Sequence, residues 1–368
     1  MTDLAKQIAQ KHGQNDLLEL LSKDLSGSQL HTVLLTAIKE RVKEQSLTDI
    51  TKTSKVTQAC NLDGRLLHQV EGIAYQSAKD YKVVELAPLN PLGTTNQLSG
   101  LDQGNILSTI RAFEVASDPT IGLALNCAHL RKTQEQRKNN LRLCTSQRVV
   151  RFPEPTNPAY TAHFKLFSMV DSGRDRGSFG FELDALKSQL TVYLELLKTL
   201  KQCGFSHKDI VVELSDTRVV KALALSHGVD SDKIKSMVRA SDSDSATRLL
   251  AQYDKIWVKA PTDIGNELGQ YNLPAHHLLQ LKALQKQVME PLSIIYPGVH
   301  FCYNLHRLTG LNYYQGPTLH IKLQNLSDQT FMVADGGFVD WTQRLLTDKK
   351  ERLLTSAIGI ELICRVFK

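Results

Sequence analysis

The residues of this chain best suited to chemistry fall in four short stretches. SDPT, residues 117–120, sets Asp118 and Thr120 on either side of a proline. RVVRFPEPT, residues 148–156, ends an apolar run on Arg151 and places Glu154 after Pro153. HFKLFSMVD, residues 163–171, spaces His163, Phe167 and Asp171 at four-residue intervals. LTGLNYYQGP, residues 308–317, joins Tyr313 to Tyr314, and the pair Gly336-Gly337 follows downstream. A guanidinium offers a planar fork of donors that matches phosphate oxygens. Arg151 suits that role and suits equally a carboxylate partner within a sheet, and His163 reads first as an ordinary surface strand residue. Asp118 before Pro119 is a favoured helix cap, which is compatible with ligand contact by Asp118 and Thr120. Neighbouring strand side chains face opposite ways. The tyrosine pair should therefore divide, one ring in the core and one lining a pocket across the sheet. Gly336-Gly337 reads most simply as a tight turn. His276 and His277 diverge by about 100° on a helix, a poor metal site, and no metal is expected.

The stretch from Pro91 to Thr120 concentrates Asp102, Gln103, Asn105, Arg111 and Glu114 beside short strands. It reads as a hydrogen-bonded pocket wall, a dimer interface or a polar surface hairpin.

These groups need a scaffold, and the composition bounds it. The chain has 368 residues, 22% charged and 42% hydrophobic, with net charge +6. That fits a globular protein with a sizeable core. No run of five like charges occurs, so a nucleic-acid tail is not indicated and DNA is not an expected partner. The six cysteines show no CxxC spacing, so reduced core thiols are expected rather than zinc or disulfides. There is no long apolar run and no signal peptide, which points to a cytoplasmic protein without a membrane partner.

Residues 1–57 read as helices: Leu30, Leu34, Ile38 and Val42 keep four-residue spacing after Ser28. A further helix is expected over 63–78, then strand pieces at 81–94 and a hairpin within 105–120. A helix over 121–132, a strand over 141–152, a Pro-rich loop over 153–162 and a returning strand over 163–173 follow. Leu183, Leu186, Leu190, Leu194 and Leu197 mark a strong amphipathic helix. After a buried strand at 209–216, residues 217–290 read as mainly helical. Strands return at 300–305, 311–323 and 329–334, ADGGFVDW reads as a turn, and TSAIGIELICRVF as a closing buried helix. Antiparallel strands with helices between groups make an α+β layout.

The order RVVRF, Pro-rich loop, HFKLF…D, GLNYYQGP and a glycine pair before a final apolar segment resembles the catalytic domain of class II aminoacyl-tRNA synthetases. Within that class it is most similar to histidyl-tRNA synthetase and the regulatory subunit of ATP phosphoribosyltransferase. The resemblance covers about residues 62–368. It implies an antiparallel sheet flanked by helices, with residues 1–60 as a helical extension, 61–368 as the core and a mainly helical insertion at about 217–290. It also implies that Arg151 holds the α-phosphate of ATP, with Glu154 nearby. His163 would approach the outer phosphates and Phe167 stack on adenine. Asp118 and Thr120 would bind an ammonium group, Tyr314 face the ligand pocket while Tyr313 packs, and Gly336-Gly337 form the glycine turn.

The departures bear on activity. Thr309, Asn312 and Leu362 stand where the family has Arg, Asp and Arg, and Met169 and Gly173 replace histidine-binding Gln and Glu. Losing even one preorganised donor costs roughly 100–1,000-fold in rate; Arg111, Arg174, Arg176 and Arg307 are the cations left to substitute. The resemblance thus implies a paralogue that no longer charges tRNA. It would bind a small amino-acid-like or nucleotide ligand as a homodimeric regulatory or accessory protein. A partner enzyme and histidine biosynthesis are implied. The other readings are an ATP- and Mg-dependent ligase forming an acyl-adenylate for a non-tRNA acceptor, and a structural dimer with a relic pocket.

Overall fold

The computed structural model describes residues 2–50, 56–133, 137–153, 161–226, 257–259, 268, 273–305 and 307–368. Near the N-terminus, α1 (Thr2–Lys11) and α2 (Gly27–Lys43) form the expected helical segment. α2 begins with a capping box, Ser26 and Gln29 each bonding the other's backbone N–H. α3 (Gly64–Ser77) starts on Asp63, whose carboxylate caps Arg65 N.

The centre is a nine-stranded sheet in the order β1-β4-β5-β11-β10-β9-β6-β8-β7. Its strands are β1 (Lys82–Val83), β4 (Leu141–Val150), β5 (His163–Arg174), β6 (Ile210–Asp216), β7 (Trp257–Lys259), β8 (Val299–Asn304), β9 (Pro317–Gln324), β10 (Thr330–Val339) and β11 (Glu351–Ile358). β2 (Leu89–Pro91) and β3 (Phe113–Val115) form a separate small antiparallel ribbon. Only β1–β4 and β6–β8 pair in parallel among these strands.

The sheet is covered on both sides, each by its own cluster. On the back, α3, α5 (Gly180–Gln202) and α10 (Ile360–Phe367) bury Cys144, Phe167, Met169, Leu214, Ile321 and Leu354. The connecting helices α6 (Thr217–Ser226), α7 (Ala275–Leu284) and α8 (Glu290–Ile295) also contribute to this core. On the front, α4 (Pro119–Leu130) and α9 (Trp341–Leu346) cover only the lower half, against Leu143, Val170 and Leu353. The upper front is left for polar side chains. Among the described residues no helix is long and apolar enough to cross a membrane, and all six cysteines are free thiols.

Four details differ from the sequence reading. Gly336 and Gly337 sit inside β10, paired on both sides, and not in a turn. Residues 311–316 are not strand: Gly310 takes φ +78° and a tight turn carries Tyr313 and Tyr314. Residues 355–358, read as the start of the last helix, instead complete the strand β11. The stretch 217–290 is helical at both ends, yet it also supplies the edge strand β7. Most of the Pro-rich loop, including Glu154, lies outside the described residues.

Candidate functional site

Strand register builds the site on the front face. One rung runs Thr145, Ser168, Ala357, Asp335, His320, Glu213 and Cys302 across seven strands. The next rung down is Val170, Thr355, Gly337, Thr318 and Ser215. Gly337 has no side chain because Tyr314 occupies that space: a β-carbon there would lie 2.6 Å from the ring's Cδ1.

From this seat the Tyr314 hydroxyl donates to Asp335 Oδ1 at 3.1 Å, which also receives Arg307 Nη2 at 2.7 Å. The Arg307 guanidinium lies 5.3 Å from the Tyr314 ring centroid, within cation–π range. His320 stands between two acids, Nε2 3.6 Å from Asp335 Oδ1 and Nδ1 3.7 Å from Glu213 Oε2. Glu213 is in turn held by Lys322 at 2.6 Å and Asn304 at 3.0 Å. Burial alone would raise both carboxyls. Arg307 and His320 outweigh it at Asp335, and the His320, Lys322 and Asn304 donors outweigh it at Glu213, so both fall to about 2. Each is a fixed negative charge at neutral pH.

The other tyrosine belongs to the same site. Tyr313 packs edge-on against Tyr314 and Trp341, and its hydroxyl donates to Asp118 Oδ2 at 3.2 Å. Asp118 Oδ1 caps α4, receiving Thr120 N at 2.9 Å and Thr120 Oγ1 at 2.7 Å. Asp118 and Thr120 therefore do act as a cap, while Asp118 also meets the tyrosine pair. The expected division into one core and one pocket tyrosine is corrected, because the alternation rule does not govern a turn. Burial first, then Asp118 for Tyr313 and Asp335 for Tyr314, keeps both phenols protonated.

Five side chains on these two rungs carry buried polar atoms with no hydrogen-bond partner among the described residues. They are Thr145 Oγ1, Ser168 Oγ and His320 Nε2 above, the last facing Asp335 only at 3.6 Å, and Thr318 Oγ1 and Ser215 Oγ below. Buried polar groups in native proteins are nearly all paired. The Asp335 side chain, 38% exposed, marks where this surface opens to solvent.

Arg151 also reaches the front, beyond the end of β4. It is exposed, with its guanidinium 5.1 Å from the Phe164 ring centroid and no carboxylate partner among the described residues. His163, Phe167 and Asp171 do not join it. Their four-residue spacing puts all three on the back. Phe167 is 0% exposed and edge-on to Tyr75, so it has no face to offer a base. Asp171 is buried under Tyr81, Gln189 and Arg142. His163 contacts Arg148 and the Gln58 carbonyl. The aromatic residue that β5 puts on the site face is Phe164, which shares a parity with Ser168.

The family arginines find one partial substitute. Arg307 enters the site, whereas Arg174 pairs with Asp348 at 2.9 Å, Arg176 pairs with Asp184, and Arg111 is exposed. Leu362 packs partly buried against the back core, and Thr309 is exposed. Among the described residues no three His, Cys, Asp or Glu side chains gather to hold a metal. Among the described residues, those present thus fit ATP with magnesium poorly in the manner the resemblance implies, with Arg151 the one matching cation among them.

The sheet order, the helical backing and the half-covered front define a class II aminoacyl-tRNA synthetase-like fold. Within that class the fold is the one found in histidyl-tRNA synthetases and the ATP phosphoribosyltransferase regulatory subunit. A structure from Bacillus halodurans described as ATP phosphoribosyltransferase regulatory subunit/histidyl-tRNA synthetase matches with TM-score 0.64 at 12% identity, over 86% of this chain and 83% of that one. A histidine–tRNA ligase subunit from Alicyclobacillus acidocaldarius matches with TM-score 0.60 at 15% identity, over 85% and 96%. Histidyl-tRNA synthetase from a Nostoc species matches with TM-score 0.53 at 16% identity, over 85% and 74%. No protein-family model and no curated protein sequence matches the chain.

Proposed function

We propose that this chain is a relative of the histidyl-tRNA synthetase catalytic domain that no longer charges tRNA and instead binds a small polar ligand in the front cleft. The observation that carries this reading is the group of five buried, unpartnered polar atoms on two adjacent rungs beside Asp335. Such groups are costly to bury alone and are what a ligand with several donors and acceptors would satisfy. The protein acts as a homodimeric regulatory or accessory subunit in the cytoplasm, serving an enzyme linked to histidine biosynthesis. The regulatory-subunit name of one structural neighbour supports that role. Against adenylation stand Leu362 and Thr309 in place of arginines, and Phe167 on the wrong face.

An ATP-dependent ligase is the second reading, favoured by Arg151 stacked over Phe164 on the site face. Thermal scans with each amino acid, AMP and ATP–Mg, paired with pyrophosphate exchange, separate the two. A ligand at 100 times its Kd stabilises by about 2.7 kcal/mol. Stabilisation by an amino acid without exchange is expected. Exchange dependent on one amino acid would establish the ligase, and no shift with any compound would leave only a structural dimer.

A further inference from the structure

The back of the sheet holds a cavity, on the far side from the Asp335 site. It lies between the last turns of α5, the loop before β6 and the turn joining α8 to β8, with a volume of about 440 Å³. That is a small-molecule size. Its floor is apolar: Leu194, Ile210 and Val299. Its rim is basic, formed by Lys198, Lys201 and Lys208, and His207 lines it from below. His207 is only 7% exposed, and neither ring nitrogen makes a hydrogen bond of ordinary geometry among the described residues, although the Leu197 backbone lies close by.

The charges around the rim do not cancel. Lys198 meets Glu195 at 3.5 Å and Lys208 meets Asp328 at 2.7 Å; both pairs are exposed and weak. Lys201 has no carboxylate partner among the described residues. α5 presents its carbonyl end here, which opposes an anion. Those oxygens are already engaged: Lys201 O by Gly204 N, Leu200 O by Phe205 N and Cys203 O by Lys368 Nζ. The residual dipole is weaker than one charge-assisted hydrogen bond. Burial, then Lys201, lowers the His207 pKa, so its ring is neutral near pH 7 and carries one N–H to donate.

We propose that this cavity binds a small amphipathic anion. Its apolar body rests on Leu194, Ile210 and Val299, and its phosphate or carboxylate head is held by Lys201, Lys198 and His207. The full chain would be titrated with phenyl phosphate, phenylacetate, inorganic phosphate and phenol while the His207 and Tyr296 ring resonances are followed by NMR. Saturable shifts are expected with phenyl phosphate or phenylacetate, tighter than with inorganic phosphate or phenol, and the stronger of the two identifies the head group. Lys201→Gln, an exposed change that leaves the melting temperature in place, should weaken binding about ten-fold. His207→Gln should weaken it as well. Unmoved resonances with all four probes, equal affinity for phenol, or unchanged affinity in Lys201→Gln would each overturn the proposal.

Discussion

Tyr314 and Gly337 are built for each other. A β-carbon on Gly337 would fall 2.6 Å from Tyr314 Cδ1 and 2.7 Å from Thr318 Cγ2, and the ring seated there sends its hydroxyl to Asp335. Gly337→Ala must push the ring out of the sheet face. Overpacking of this kind costs roughly 1–3 kcal/mol. The urea midpoint should fall by that amount and the near-UV tyrosine signal should change. An unchanged midpoint would show that the ring yields freely and that the seat is not specific.

Acid should weaken the fold through Glu213. Its carboxyl is held at about 2 against an ordinary value of 4.5, so the folded state binds this proton less readily than the unfolded chain. The stabilisation is fully present above about pH 4.5 and disappears as pH falls through 2, on the order of 3 kcal/mol. Asp335 adds a smaller share of the same sign, since water reaches its side chain. Asp171, whose carboxyl burial raises, tilts the curve the other way. The clean comparison is therefore Glu213→Gln against wild type: the variant's stability should fall less steeply between pH 4.5 and 2. Parallel curves would contradict the pairing.

Arg131 and Glu351 form a fully buried ion pair, Nε to Oε2 at 2.7 Å, tying the end of α4 to the start of β11. Removing one member of such a pair costs about 3–5 kcal/mol; without Arg131, Glu351 would keep only Arg174 among the described residues, at 4.0 Å. Arg131→Met should show that loss in urea unfolding, and adding Glu351→Leu should recover much of it. A double variant as unstable as the single one would mean that the Asn139 and Arg137 carbonyls bonded by Arg131 matter more than the charge pair.

What the sequence revealed and what it withheld follow from the same physics. Asp118-Pro119-Thr120 was readable as a cap because capping depends on neighbours in the chain. The β4–β5 hairpin was readable because its two strands are consecutive. The facing of β5 was not. Both of its faces are buried, so His163, Phe164, Phe167 and Ser168 show no polar–apolar alternation to reveal which side each takes. The aromatic on the site face was thus assigned to Phe167 when it is Phe164. The Glu213–His320–Asp335 rung is set by pairing between β6, β9 and β10, with Glu213 and Asp335 about 120 residues apart in the chain. No local signal carries it. Gly336-Gly337 looked like a turn because glycine pairs usually are, and only the tyrosine seated on Gly337 explains one in mid-strand.

The unpartnered hydroxyls give a test with opposite signs. Thr318→Val and Ser168→Ala each remove a buried polar atom that has no hydrogen-bond partner among the described residues. Without ligand, each variant should be as stable as wild type or up to about 1 kcal/mol more stable, since an unsatisfied group is no longer buried. With ligand, each should lose its contact. Destabilisation of the ligand-free protein in both variants would mean that these hydroxyls are satisfied internally.

The most direct measurement is a calorimetric titration of wild type and Thr318→Val with whichever amino acid or nucleotide stabilises the chain in thermal scans. The account predicts one site per chain in wild type, an affinity lowered about ten-fold in Thr318→Val, and no pyrophosphate exchange in either. Equal affinity in the two proteins would place the ligand elsewhere, and amino-acid-dependent exchange by wild type would contradict the proposed loss of adenylation.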